Sequence, residues 1–93
     1  MKLKLVPTAK FKKDLKRLQK RGLDLDELYF VINKLLNCET LDPKHRDRAL
    51  TGNYAGFREC HIRPDWLFIY AIREDKLILT AARCGSHSDL FNE

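Results

Sequence analysis

The stretch ECHIRPDW, residues 59–66, places several side chains that could act in catalysis around one proline. His61 carries an imidazole, which titrates near neutral pH and can move protons. Asp65 supplies a carboxylate and Trp66 a large aromatic ring. The apolar run 67–70 follows at once, which predicts that the proline marks a turn before a buried strand.

Three strand patterns determine which of these groups meet. They are GFRECHI (56–62), WLFIYAI (66–72) and KLILTAARC (76–84), joined by the short turns RPD and REDK. Such spacing predicts an antiparallel meander. The end of the first strand, the start of the second and the end of the third then share one sheet edge.

This edge collects two imidazoles, a carboxylate and a guanidinium. His61, Asp65 and Trp66 come from the first turn, Arg83 ends the third strand, and His87 follows four residues later. The set suits RNA strand cleavage without a metal, because an acid and a base must serve the 5′-oxygen and the 2′-hydroxyl. An arginine can stabilise charge on the phosphoryl oxygens.

An aromatic ring could stack on an RNA base beside these groups, and Trp66 and Phe91 are the candidates. Each residue also has an ordinary structural interpretation. Arg83 could pair with a carboxylate such as Glu59, and the two aromatic residues could belong to the core. Only the convergence of the set favours catalysis.

The charge distribution points to a polyanionic partner. The chain has a net charge of +5, yet residues 1–22 hold nine Lys and Arg against the single acid Asp14, a net +8. Such a field attracts nucleic acid or an acidic protein. The candidate RNA- or ribosome-binding residues are Lys10, Lys12, Lys13, Lys16, Arg17 and Lys20.

The first half of the chain predicts a strand and a helical hairpin. KLKLV (2–6) alternates as a strand does, and Thr8 is placed to cap a helix that ends at Gly22. A second helix is predicted to open at Asp24, with Glu27 completing a capping box.

The remaining segments complete the predicted fold. Residues 38–56 form a long loop, and Ser86 with Asp89 predicts a short terminal helix. Together these elements predict one α+β domain over residues 1–93, with the helices packed on one face of a small sheet.

Composition limits other classes of function. The three cysteines are widely spaced and odd in number, so neither a disulfide framework nor a zinc site is expected, and no cofactor is predicted. No apolar run is long enough to span a bilayer, and the N-terminus lacks the apolar region of a signal peptide. A cytoplasmic protein is therefore expected.

Two motifs resemble one family over nearly the whole chain. They are LTGNYAGFRECHIRPDWLFIYAI (50–72) and RCGSHSDLF (83–91), and they resemble the YafQ-like branch of the RelE/ParE toxin superfamily. The resemblance implies a toxin of a bacterial type II toxin–antitoxin pair, which cleaves mRNA in the ribosomal A site and is silenced by a partner antitoxin. It implies catalytic roles for His61, Asp65, Arg83 and His87, and substrate positioning by Trp66 and Phe91.

One position departs from the family pattern. Relatives often carry a catalytic histidine in a D-H-x-L-x-G motif, where this chain has Arg48 within 47–52. Arginine cannot act as a base at neutral pH but can bind phosphate, and His45 lies three residues earlier.

Two other functions are compatible with the predicted fold or with the charge: a ParE-like inhibitor of DNA gyrase and a non-catalytic RNA-binding module. The acid–base set argues against the inhibitor, because inhibition needs no proton transfer.

Overall fold

The computed structural model describes residues 2–91 as an α+β fold built on a five-stranded sheet. Strands follow the order β1-β5-β4-β3-β2, with β3, β4 and β5 forming the predicted antiparallel meander and β1 parallel to β5. The elements are β1 Lys4–Pro7, α1 Ala9–Lys20, α2 Asp26–Leu36, β2 Arg48–Ala49, β3 Arg58–Arg63, β4 Trp66–Arg73, β5 Ile78–Gly85 and α3 His87–Phe91.

The predicted start of α1 is confirmed. The Thr8 hydroxyl accepts a hydrogen bond from the backbone N of Phe11 at 3.0 Å, as an N-cap does. The same hydroxyl donates to the carbonyl of Ala82 in β5 at 2.8 Å. Thr8 therefore both begins the helix and fixes it to the sheet.

The capping box predicted for α2 is wrong. The helix begins at Asp26, two residues after the expected position, and the Asp24 carboxylate accepts from the backbone N of Asp26 at 2.9 Å. Glu27 does not reach back to the helix start. It instead accepts hydrogen bonds from Nε and Nη2 of Arg63 in β3, at 2.8 and 2.7 Å.

Alternation along β4 divides the core between two faces of the sheet. Phe68 and Tyr70 pack with α1 and α2 in the larger cluster. Leu67 and Ile69 point to the opposite face, which α3 covers with Leu90. The helices α1 and α2 thus lie on one face as predicted, and the second face carries α3 and part of the long loop.

The long loop contains ordered structure that the sequence pattern did not predict. It forms short 3-10 turns at Pro43–His45 and Gly52–Tyr54, and between them β2 pairs with β3 at the sheet edge. Asp47 anchors the loop, because its carboxylate accepts hydrogen bonds from Arg58 at 2.9 Å and from the hydroxyl of Tyr70.

Two further observations bear on the expected class of protein. Within residues 2–91, no helix is long and apolar enough to cross a membrane. Cys60 and Cys84 are buried, Cys38 is exposed, and all three are free thiols. Burial raises the pKa of the Cys84 thiol to about 12, so this side chain stays protonated at neutral pH.

Candidate active site

Strand register brings His61 and His87 together. His61 lies opposite Leu67 on β4, and Leu67 lies opposite Gly85 at the end of β5. The chain then enters α3 at His87. The ring centroids of His61 and His87 are 6.0 Å apart, so the predicted convergence of the two imidazoles is present in the structure.

The strand pairing is irregular near the row formed by His61, Leu67 and Gly85, both between β3 and β4 and between β4 and β5. Between β3 and β4 the pairing shifts from His61↔Leu67 to Arg63↔Trp66, which leaves Ile62 without an opposite residue. A second shift between β4 and β5 does the same at Ala82. Bulges bend strands and re-aim side chains, and they are common beside active sites.

Asp65 holds His87 in a defined orientation. One oxygen of its carboxylate accepts from Nδ1 of the His87 ring at 2.7 Å and from the His87 backbone N at 3.1 Å. A carboxylate can only accept, so the proton of a neutral His87 ring lies on Nδ1 and Nε2 is left as an acceptor. The hydrogen bond from the His87 side chain holds the pKa of Asp65 below its usual range.

The start of α3 is the capping box predicted from the sequence. Ser86 Oγ accepts from the backbone N of Asp89 at 3.1 Å, and the Asp89 carboxylate accepts from the backbone N of Ser86 at 3.0 Å. Asp89 also binds both terminal nitrogens of Arg21, at 2.7 and 2.9 Å. These bonds fix the first turn of α3, and with it His87, against the end of α1.

Aromatic side chains extend the site beyond His87. Phe91 is half-buried, and its ring centroid lies 6.5 Å from that of His87 and 5.9 Å from that of Tyr54. Phe91 is therefore beside the histidines, as predicted. Tyr54 was not predicted as a site residue, although it occupies an aromatic position of the longer motif.

Arg83 is bound by the carboxylate of Asp14, a pairing that the sequence did not predict. Asp14 of α1 accepts from Arg83 Nε at 2.8 Å and from Nη2 at 3.2 Å. It also accepts from the backbone N of Cys84 at 3.0 Å and from Arg17 at 2.8 Å. The hydrogen bond to Asp14 raises the pKa of Arg83, and the nearby Tyr54 adds to the increase. The alternative interpretation, that Arg83 pairs with a carboxylate, is therefore confirmed, but the carboxylate is Asp14 and not Glu59.

Glu59 instead pairs with Arg48. The two residues lie opposite each other on β3 and β2, and Arg48 Nε donates to the Glu59 carboxylate at 3.0 Å. Glu59 is only 2% exposed, whereas the Arg48 side chain is largely exposed. Because Glu59 and His61 are two residues apart on one strand, they point to the same face of the sheet. Arg48 thus borders the site, where the family pattern has histidine.

Trp66 is not available to contact RNA. Its side chain is 3% exposed within the main core, and its indole N–H donates to the buried Sγ of Cys84 at 3.0 Å. Residues 68 and 70, which point to the same face, also pack under α1 and α2. The prediction that Trp66 positions the substrate is therefore contradicted, and the ordinary interpretation as a core residue holds.

His45 supports His61 through the backbone. It is 7% exposed, and its Nδ1 lies 2.7 Å from the carbonyl oxygen of His61. A carbonyl only accepts, so Nδ1 carries the proton. Among the described residues, the His45 ring makes no contact with the His87 ring, so His45 is not part of the pair of rings formed by His61 and His87.

The basic residues of α1 lie on its outer surface. The five lysines predicted to bind RNA or the ribosome are exposed, and Arg17 is half-buried because it binds Asp14. The exposed ones are Lys10, Lys12, Lys13, Lys16 and Lys20. Asp14 is only 2% exposed, so the accessible surface of this helix is almost entirely cationic.

A family model described as a bacterial toxin of type II toxin–antitoxin systems, YafQ, matches residues 3–92. The chain belongs to the YafQ toxin family. A curated relative, the mRNA interferase toxin YafQ of Escherichia coli K12, is 36% identical over 85 residues, 90% of this chain and 90% of the relative. The predicted family and its RelE-like fold are thus confirmed.

Solved structures of toxins superpose closely on the chain. The match to the Escherichia coli DinJ–YafQ toxin–antitoxin complex has a TM-score of 0.88 at 30% identity and covers 98% of this chain and 99% of that chain. A metal-bound toxin from Helicobacter pylori gives a TM-score of 0.90 at 44% identity, covering 98% of this chain and all of that chain. Within residues 2–91 of the present YafQ-family chain, no cluster of three or more His, Cys, Asp or Glu side chains could hold a metal ion.

Proposed function

We propose that the chain is the toxin of a type II toxin–antitoxin pair and an endoribonuclease that cleaves mRNA on the ribosome. The observation that carries the proposal is the cluster of Asp65, His87 and His61. The hydrogen bond from His87 Nδ1 to Asp65 is 2.7 Å long, and the ring centroids of His61 and His87 are 6.0 Å apart. Two imidazoles at this separation can face opposite sides of one phosphate. The Escherichia coli relative is named an mRNA interferase toxin, which supports the same conclusion.

Proton transfer is assigned to His87 first, with His61 and Asp65 as its partners. Asp65 accepts a hydrogen bond from Nδ1 of His87, so Nε2 is the nitrogen directed to the substrate. In the reaction, the 2′-oxygen loses its proton and bonds to phosphorus while the bond to the 5′-oxygen breaks. The 5′-oxygen takes a proton as it leaves. One imidazole acts as base and the other as acid, and the products are a 2′,3′-cyclic phosphate and a 5′-hydroxyl.

Arg83, assisted by Arg48, stabilises the negative charge that develops on the phosphoryl oxygens. Asp14 occupies Nε and Nη2 of Arg83, which leaves Nη1 for a phosphate oxygen. The exposed guanidinium of Arg48 binds substrate from the sheet edge. Phe91, next to His87, stacks on a base. The proposed reaction uses these side chains alone for proton transfer and charge stabilisation.

The exposed lysines of α1 dock the enzyme onto ribosomal RNA in the cytoplasm, and a cognate antitoxin covers the site until the toxin is released. The +8 charge of residues 1–22 supports both contacts, since each partner must present negative charge to it. The Escherichia coli complex of DinJ with YafQ supports an antitoxin as partner. We further infer that naked RNA is cut weakly, because a chain of 93 residues has little surface with which to enclose RNA alone.

The test is cleavage of a labelled mRNA on programmed ribosomes by the parent and by His87→Gln. Loss of a general acid or base lowers the rate about 10²–10⁴-fold, and thermal unfolding reports whether the variant still folds. Ser88→Ala, at an exposed position of the same helix, is the matched control and is expected to cut like the parent. If His87→Gln also cuts like the parent, the catalytic assignment is wrong. If the parent leaves mRNA intact but inhibits DNA gyrase, the alternative function is correct.

A further inference from the structure

We propose that the cavity bordering His61 at the β3–β4 turn is a nucleotide subsite, which holds the phosphate and base adjoining the scissile phosphate of an RNA strand. The inference rests on the proposed nuclease function and extends it to residues of the long loop. The cavity has a volume of about 350 Å³, and His61 contributes to its wall. Neither His87 nor Asp65 lines it, so it adjoins the proposed catalytic set at His61 alone.

The side chains around this cavity are basic and apolar. Lys44, Arg46 and Arg63 contribute cations, and Ile62 and Pro64 contribute apolar surface, while no acidic residue lines it. Glu27 neutralises Arg63 through two hydrogen bonds. Lys44 and Arg46 make no ion pair with any described residue, so their charge remains available to a ligand.

The loop segment that carries these cations is held in one conformation. Asp42 accepts from the backbone N of Lys44 at 3.0 Å, and Pro43 begins the 3-10 turn. Arg46 ends the turn in the left-handed region, with φ at +47°. His45 then binds the turn to the carbonyl of His61 at 2.7 Å. The cations are therefore fixed relative to a proposed catalytic residue rather than attached to a free loop.

His45 contributes one more group that can bind a ligand. Its Nδ1 proton is committed to the His61 carbonyl, so Nε2 is the ring nitrogen that lies free of hydrogen bonds to the described residues. Because His45 lines the cavity, this nitrogen is available to a ribose hydroxyl or, when protonated, to a phosphate oxygen.

The dimensions and chemistry fit one nucleotide of single-stranded RNA. Ligand pockets range from about 300 to 1,000 Å³, so this cavity can accept a single unit. RNA is a polymer, so a strand cleaved beside His61 must continue to a neighbouring position with another phosphate. The adjoining cavity shares Lys44 and His45 with this one but is also lined by Asp26, whose charge repels phosphate, and by Glu27, which binds Arg63. Arg46 lines the proposed subsite and not the adjoining cavity, so the strand is directed toward Arg46 and away from α2.

Binding of an uncleavable RNA tests the subsite directly. The probe is a fluorescent ribo-oligonucleotide with a 2′-deoxy sugar at the cleaved position, and its affinity is measured by anisotropy over a range of salt. The test variant combines Lys44→Gln with Arg46→Asn, since asparagine tolerates the left-handed conformation. The control combines Arg73→Gln with Lys76→Gln, which removes the same charge at the β4–β5 turn, the end of the meander opposite the β3–β4 turn.

We expect the test variant to weaken binding about tenfold or more at low salt. The slope of log affinity against log salt should fall by about 1.4, since each phosphate contact on a single strand contributes about 0.7. Cleavage on ribosomes should show a raised KM with unchanged kcat. Binding by the test variant that equals that of the control would overturn the subsite. If the parent fails to cut mRNA, the nuclease function is wrong, while the binding comparison still decides the subsite.

Discussion

Asp14 binds Arg83 across 69 positions of sequence, through hydrogen bonds of 2.8 and 3.2 Å. It is the single acid among the first 22 residues, and it is buried beneath a surface of lysines. The same carboxylate accepts from the backbone of Cys84, next to the bulge in β5. Asp14 therefore fixes both the direction of the arginine fork and the strand that carries it.

We predict that Asp14→Asn lowers kcat about 10²-fold, the effect of moving a catalytic group by about 1 Å. An amide replaces one carboxylate oxygen with an NH2 donor, which cannot accept from a guanidinium N–H, so one of the two hydrogen bonds to Arg83 is lost. The measurement is single-turnover cleavage of mRNA on ribosomes, together with urea unfolding. In the Arg83→Ala background, Asp14→Asn should leave the residual rate unchanged, because the group it positions is absent. A further 10²-fold loss in that background would show that Asp14 acts through something other than Arg83. Asp75→Asn, in the exposed turn before β5, is the control.

The local features of the fold and site were predictable from the sequence. Short turns fix the register of β3, β4 and β5, and that register brings His61 near His87. Thr8 and Ser86 cap helices through neighbours three residues away. Interactions between residues only a few positions apart can be predicted from the spacing of residue types in the sequence.

The features that were missed depend on distant or weak signals. Asp14 and Arg83 are too far apart in sequence for their types to indicate a pair. Strand β2 has two residues within a long polar loop, so no period could reveal it. Trp66 opens an apolar strand, so its burial could be predicted, but its hydrogen bond to Cys84, 18 residues away, could not.

The pair Arg48–Glu59 gives a prediction for stability. Arg48→Ala leaves the buried Glu59 carboxylate without its partner, and we expect the free energy of unfolding to fall by about 1–3 kcal/mol. Adding Glu59→Gln removes the unpaired charge and should recover much of the loss. Both variants are measured by urea unfolding at neutral pH. Equal stability of Arg48→Ala and the parent would mean that water replaces the arginine without penalty.

Gly85 gives a second prediction for stability, because it lies directly against the cap of α3. A Cβ at this position would lie 2.9 Å from Oδ2 and 3.0 Å from Cβ of Asp89. Its φ of +155° adds strain for any other residue. Gly85→Ala should lower the free energy of unfolding by about 1–3 kcal/mol through overpacking, and it should reduce cleavage because His87 follows two residues later.

Gly22→Ala separates the steric effect at Gly85 from backbone strain. Gly22 has a φ of +82° but open space where a Cβ would stand. We expect a loss of about 1 kcal/mol from the left-handed conformation alone, with cleavage unchanged. If the two alanine variants are equally stable and equally active, the contact between Gly85 and Asp89 has no effect on the site.

The pair Arg21–Asp89 predicts how stability depends on pH. The hydrogen bonds from Arg21 hold the pKa of Asp89 well below its usual range, and the bonds from Ser86 act in the same direction. A carboxyl group with a depressed pKa stabilises the folded state above its unfolded value, about 3.9 for Asp, and this contribution is lost as pH falls toward the folded value. Stability of the parent should therefore decline below about pH 4–5. Asp89→Asn should be less stable at pH 7, depend less on pH, and converge with the parent at low pH in urea unfolding. Glu74→Gln, in an exposed turn, should keep the shape of the parent curve. Parallel curves for Asp89→Asn and the parent would mean that Asp89 stabilises α3 through its shape and not through its charge.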